Sequence, residues 1–232
     1  DDRYGFGLVN AYNAVTNTTG PTRAAYVRIV NAVTGDAVRT VAVRSDGSYA
    51  AAKLDPGSYY VVGGEDESAD QVIGMPGRRF GWFGPAGSPT AVSVAANQNA
   101  SVSFSIGTPL EAKPHNTIAL ANRLVMNGYM IGQVTTSDPT AIFTVQIARA
   151  GTYYFETGGL LGTCGYGIEL DTILSLLDAN GATLATNDDT VFPGSIHCSQ
   201  ITSTLPAGTV YLRVTGFAGT TGQYRVWVRD QP

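Results

Sequence analysis

Over most of the chain apolar and polar residues alternate with a period of two, in short runs broken by turn-forming residues. That period marks half-buried strands, because successive side chains leave a strand on opposite faces. From Ala25 to about Ile106 the runs are "AYVRIVNA", "RTVAVRS", "SYAAAKL", "SYYVVGG", "TAVSVAA" and "ASVSFSIG". Turn chemistry separates them at Thr34-Gly35-Asp36, Asp46-Gly47, Asp55-Pro56-Gly57 and Asn97-Gln98-Asn99. From about Asn122 to Arg229 a second series follows: "YMIGQV", "AIFTVQIA", "TYYFETG", "DTILSLLD", "ATLAT", "SQITSTL", "TVYLRVTG" and "QYRVWVRD". Its turns fall at Asn180-Gly181, Pro206-Ala207-Gly208 and 219–222. The pattern predicts an all-β protein of two antiparallel β-sandwiches in tandem, the second jelly-roll-like or another Greek key.

The first residues carry a different period. Val9 and Tyr12, with Leu8 and Val15, recur at helical spacing after "GFG" and predict a short helix. The breaker-rich "TNTTGPT" (16–22) and "GTPLEAKPHNT" (107–117) read as linkers. The expected organisation is therefore a helix with its linker over 1–20, one sandwich over 21–107 and another over 108–232. A chain of 232 residues can supply both cores.

Charge narrows the partners. Net charge is −4 and the 14 basic residues are scattered, which argues against a nucleic-acid footprint and a polybasic membrane patch. No apolar run approaches the roughly 20 residues of a bilayer span, so no membrane insertion is expected. The opening "DDRYGFGLVNAYNAV" lacks the order of a signal peptide and reads as the continuation of something longer. The two cysteines, Cys164 and Cys198, lie in the second half and read as a disulfide of an exported protein. Two buried free thiols are the alternative, and a zinc site lacks the ligand set it needs.

Chemistry concentrates in "DTILSLLDANGATLATNDD" (171–189). If its two strands pair through Asn180-Gly181, Asp171 meets Asn187, Asp188 and Asp189 at one sheet end. Oxygen donors so gathered suit Ca2+, which takes six to eight at about 2.3 to 2.6 Å. Glu169 and carbonyls of the loop beyond residue 190 could add to them, whereas Asp178 belongs to the turn. A solvated acidic strand end is the competing reading. A weaker metal candidate is Asp66 with Asp70 in "GEDESADQVIG", against a solvated loop. In "MPGRRFGWFGP", Arg79, Trp82 and Phe83 could form a platform for an extended polymer or peptide, or could plug an open sandwich edge. His115 and His197 are the two histidines, and Ser195 near His197 has no third orienting group, so no catalytic triad and no enzyme is expected.

Several stretches resemble known families. "YGFGLVNAYNAV" looks like the last conserved helix of a subtilisin-like serine protease catalytic domain, over about 15 residues. "VRSDGSYAAAKLDPGSYYVVGG" is similar to the carboxypeptidase regulatory-like, transthyretin-like sandwich. "GTYYFET", "DTILSLLDANGATLATNDD", "SQITSTLPAGTVYLRVTG" and "GQYRVWV" together resemble the bacterial pre-peptidase C-terminal domain over about 110 residues. The inserted "GGLLGTCGYGIEL" departs from that last pattern. The resemblances imply a non-catalytic C-terminal region of a secreted bacterial subtilisin-like protease that binds calcium. It would partner the parent catalytic domain, and an insoluble protein or polymer substrate, in maturation, stability or targeting. A free-standing surface or polymer-binding adhesin is the alternative.

Overall fold

The computed structural model describes residues 7–11 by backbone, and 24–66, 70–160, 170–189 and 198–230 in full. The chain divides into two compact units, one of 1–74, 78–85 and 89–108, the other of 75–77, 86–88 and 109–232. Both are β-sandwiches, and among the described residues helical turns are confined to two short 3-10 segments.

In the first unit a three-stranded sheet has the order β4-β1-β8, from β1 (Gly7–Ala11), β4 (Tyr49–Leu54) and β8 (Asn99–Ser101). The facing sheet runs β3-β2-β5-β6, from β2 (Ala24–Asn31), β3 (Ala37–Ala42), β5 (Gly57–Asp66) and β6 (Phe80–Trp82). The short β7 (Val92–Val94) also pairs with β5. Inward residues of both sheets, among them Val27, Ile29, Tyr49, Leu54 and Val61, form one core with Phe104 of the stretch after β8. The outward face of β5 is covered as well: Val62, Ile73 and Phe80 are buried there. Gly64 permits this, since a Cβ at that position would lie 3.0 Å from Ile73.

The helix expected from residue 9 onward is corrected here. Gly7–Ala11 is a strand, antiparallel to Tyr49–Leu54 and parallel to Asn99–Ser101, and 12–15 lie outside the described residues. Two backbone ladders satisfy the amides of this segment from both sides. A helix of this length, near or below the roughly 12 residues at which isolated helices are marginal, has nothing comparable to offer.

The second unit pairs a four-stranded sheet with a five-stranded one. The first has the order β10-β17-β12-β15, from β10 (Gly128–Val134), β12 (Gly151–Gly158), β15 (Gln200–Leu205) and β17 (Gly222–Arg229). The second has the order β14-β13-β16-β11-β9, from β9 (Asn122–Arg123), β11 (Thr140–Ile147), β13 (Thr172–Leu177), β14 (Thr183–Asn187) and β16 (Gly208–Gly216). Met130, Phe155 and Val226 from one sheet and Phe143, Leu174, Leu176 and Leu212 from the other are fully buried. Each such side chain contributes about 1.5–3 kcal/mol of hydrophobic stabilisation.

The stretch expected as a second linker is built into this sandwich. Leu110 pairs in parallel with Ile131, and the Glu111 amide donates to Ile131 O at 3.0 Å. The Glu111 carboxylate accepts the Gln133 amide at 2.8 Å and the Tyr224 hydroxyl at 3.2 Å, and faces His115 Nε2 at 2.8 Å. Two prolines signalled irregular backbone, but the polar side chains between them tie it down.

Candidate metal site of the second sandwich

The segment 171–189 forms the expected hairpin. β13 and β14 pair antiparallel, with Leu174 opposite Asn187 and Leu177 opposite Thr183. The register shifts between Leu176 and Leu177, leaving Leu184 as an extra residue on β14. Asp178 shapes the turn, its Oδ1 accepting the amides of Asn180 and Ala182, both at 2.8 Å, while Gly181 takes a φ of 86°. At the far end β14 runs out beyond Asn187 and the chain reaches Asp188 and Asp189 beside Asp171.

These three carboxylates converge: each offers an oxygen, and the three oxygens lie within 4.8 Å of one another. Asp171 and Asp188 are half-buried and Asp189 is exposed. Asp188 Oδ1 is buried and has no hydrogen-bond partner. Loss of solvent, then the charges of Asp189 and Asp171, push the Asp188 carboxyl above the usual carboxylate range. Such a set of hard oxygen donors, one of them orphaned, suits a calcium-class cation and not a soft metal.

The backbone around the cluster is fixed by residues that carry no charge. Asn187 Oδ1 accepts the Gln200 amide at 2.8 Å, and its Nδ2 donates to Asp189 O at 3.0 Å, so this side chain ties the loop to β15. Asp171 O accepts the Phe217 amide at 2.8 Å from the turn after β16. Gly216 allows that turn, because a Cβ there would meet Thr220 O at 2.0 Å. Beneath the carboxylates lie Thr157, Thr172 and Ser199, all buried. Thr157 Oγ1 is 2.6 Å from Thr172 Oγ1, which is 2.9 Å from Ser199 Oγ. Sequence reasoning missed these hydroxyls, since isolated Thr and Ser in strands carry no spacing signal.

No protein-family model matches the chain, and no curated protein matches it. Among solved structures it is similar to the pre-peptidase C-terminal domain of a Bacillus anthracis collagenase. There the identity is 19%, with 51% of this chain and 99% of that chain covered and a TM-score of 0.38. It is also similar to the minor pilin GBS52 of Streptococcus agalactiae, at 16% identity over 50% of this chain and 48% of the pilin, with a TM-score of 0.27. The major pilin subunit of Bacillus cereus gives 11% identity, 97% and 69% coverage, and a TM-score of 0.25.

The other expected site residues lie apart from the cluster. Asp66 Oδ2 accepts the Gln71 amide at 2.8 Å and Asp70 Oδ1 the Val72 amide at 2.9 Å, so both carboxylates shape their own loop. Among the described residues no third acid joins them. The exposed platform is corrected. Trp82 is 8% exposed, with Nε1 donating to Pro85 O at 2.8 Å, and Phe83 packs against the first core. Arg79 turns to Glu65, its Nε donating to Oε1 at 2.8 Å. An indole and a phenyl ring gain more by burial than by facing water, and the sandwich buries Trp82 and half-buries Phe83. Cys198 is buried, no cysteine among the described residues is free, and Cys164 lies outside them. Ser195, His197, Glu169 and the carbonyls beyond residue 190 lie outside them too. His115 is buried, with Nε2 facing Glu111 and Nδ1 at 3.1 Å from Ile142 O.

Proposed function

We propose that the chain is the non-catalytic C-terminal accessory region of a secreted bacterial subtilisin-like serine protease, acting in maturation, stability or substrate targeting. In this reading Asp171, Asp188 and Asp189 hold a calcium ion that rigidifies the second sandwich. Cys164 and Cys198 are bonded as the disulfide of an exported protein. Support for the protease context comes from the motif resemblances of the sequence, above all the run from "GTYYFET" to "GQYRVWV". Support for the ion comes from one observation: the orphaned, buried Asp188 Oδ1 inside a group of three carboxylates. Bound calcium would neutralise the mutual repulsion of these groups and link the start of β13 to the end of β14.

The free-standing adhesin alternative loses its proposed platform with the burial of Trp82. The calcium part is tested by thermal unfolding of the whole chain in calcium and in excess chelator. A cation that binds only the native state raises stability by about 2.7 kcal/mol at 100 times its Kd. An upward shift of the second sandwich's transition is expected, and identical curves would refute it. Targeting is tested by co-sedimentation with insoluble collagen, keratin or chitin. Retention on a protein fibre supports it, and retention on none confines the role to maturation and stability.

A further inference from the structure

We propose that Ser199 is the positioning residue of the carboxylate cluster, its hydroxyl bracing the two chain segments that carry the acids against their own repulsion. The inference rests on the metal reading given above. Asp171 precedes β13, whereas Asp188 and Asp189 follow β14. The last ladder pair between those strands is Leu174 with Asn187, so the ladder has ended before the acids are reached. Three carboxylates with oxygens within 4.8 Å of one another repel, and although the Phe217 amide and β16 hold Asp171 and Thr172, no β13–β14 ladder pair ties the Asp188 segment to them.

Ser199 spans the gap. Its Oγ lies 2.5 Å from Thr172 O on one segment and 2.8 Å from Asp188 O on the other, and 2.9 Å from Thr172 Oγ1. One hydroxyl proton serves the two carbonyls, while the Thr172 hydroxyl can donate to Ser199 Oγ. The serine is itself anchored to the opposite sheet. Its amide donates to Thr157 Oγ1 at 2.8 Å, and the Thr157 amide donates to Ser199 O at 2.9 Å. Ser199 and Thr172 are both buried, so without the hydroxyl the Thr172 carbonyl loses this bond where water does not replace it. The segment of Asp188 would then relax toward solvent and carry its carboxylate out of register with Asp171.

Outer residues that orient metal ligands typically change affinity 10–100-fold when removed, and a loss of about that size is expected for Ser199→Ala. The test is isothermal titration of the whole, oxidised chain with calcium chloride after decalcification, paired with melting curves in chelator. A positioning role weakens Kd by about 10–100-fold in a folded variant. A merely structural role lowers the melting temperature in chelator and leaves Kd where it was, which would overturn the proposal. Should Ser199→Ala not fold, Thr172→Val decides: it removes the hydroxyl that orients Ser199 Oγ, together with its contact to Thr157 Oγ1, and keeps both carbonyl contacts of the bracket. A smaller but measurable loss of affinity supports the proposal, and an unchanged Kd overturns it. Absence of calcium binding by the wild type fails the metal reading itself, a result distinct from equal binding by wild type and variant.

Discussion

Replacing Asp188 by Asn should change stability in opposite directions with and without calcium. The substitution keeps the size of the side chain and removes one of three like charges. At 4.8 Å, the outer limit of the oxygen separations, two unit charges repel by about 0.9 kcal/mol in a water-like medium and about 3.5 kcal/mol at an effective dielectric of 20. Asp189 is exposed and the other two are half-buried, so the lower figure governs, and two pairs are relieved. Asp188→Asn should therefore gain about 2 kcal/mol in chelator, or about 8 °C in the second sandwich's transition at roughly 4 °C per kcal/mol. In calcium the order reverses, because the wild type gains about 2.7 kcal/mol at 100 times Kd, whereas the neutral amide of the variant is a weaker calcium ligand than the carboxylate. Differential scanning calorimetry at neutral pH in both conditions reads the crossing. A variant less stable than the wild type in chelator would refute the reasoning, showing that Asp188 serves as an acceptor and suffers no net repulsion.

The raised Asp188 carboxyl gives a pH signature: its stabilising contribution is complete below the ordinary value of 3.8 and is lost as the pH rises through its higher folded value. Chelated wild type should lose that increment over this window, and Asp188→Asn should not. Glu111 behaves oppositely. Burial pushes its carboxyl up, but the His115 hydrogen bond, the Gln133 amide and the charges of His115 and Lys113 outweigh it and hold it below 4.5. The stability it supplies is complete above 4.5 and falls as the pH drops through the lowered value, so Glu111→Gln should flatten the acid limb of a denaturation profile. That substitution should also cost about 2 kcal/mol at neutral pH, read by urea unfolding. Trp82→Ala should cost about 3–5 kcal/mol and melt the first sandwich early in far-ultraviolet dichroism. Reduction of the proposed disulfide, which would close a loop of about 35 residues, should lower the second sandwich's stability by about 3–4 kcal/mol, and calorimetry with and without reductant checks it.

How far the sequence went follows from where each signal resides. The strand series and the 171–189 hairpin were legible because alternation and Asn-Gly chemistry are local. The meeting of Asp171 with Asp188 and Asp189 followed from counting outward along that hairpin, since antiparallel pairing converts sequence distance from a turn into spatial proximity. Gly7–Ala11 was misread because its partners, Tyr49–Leu54 and Asn99–Ser101, are remote in sequence. The inward turn of Trp82 was one of two open readings, decided by the cover that the sandwich places over the indole. The grouping of Glu111 and Tyr224 around His115 went unnoticed because they come together only when the 109–115 stretch lies along β10. Ser199 was hidden for the same reason, its partners Thr157, Thr172 and Asp188 belonging to three different segments.

The extra residue on β14 bears on how such a chain behaves at high concentration. Among the described residues β14 is the edge of its five-stranded sheet and pairs only with β13. An edge strand presents unpaired amides and carbonyls that can recruit a neighbouring molecule into a continuous sheet. Here the strand spans five residues, Leu184 breaks its ladder, and acids crowd one end. A short, kinked and charged border is a poor template for another chain, so the open flank of this sandwich resists self-assembly into fibrils. Deleting Leu184 would straighten that border and turn a guarded margin into an adhesive one.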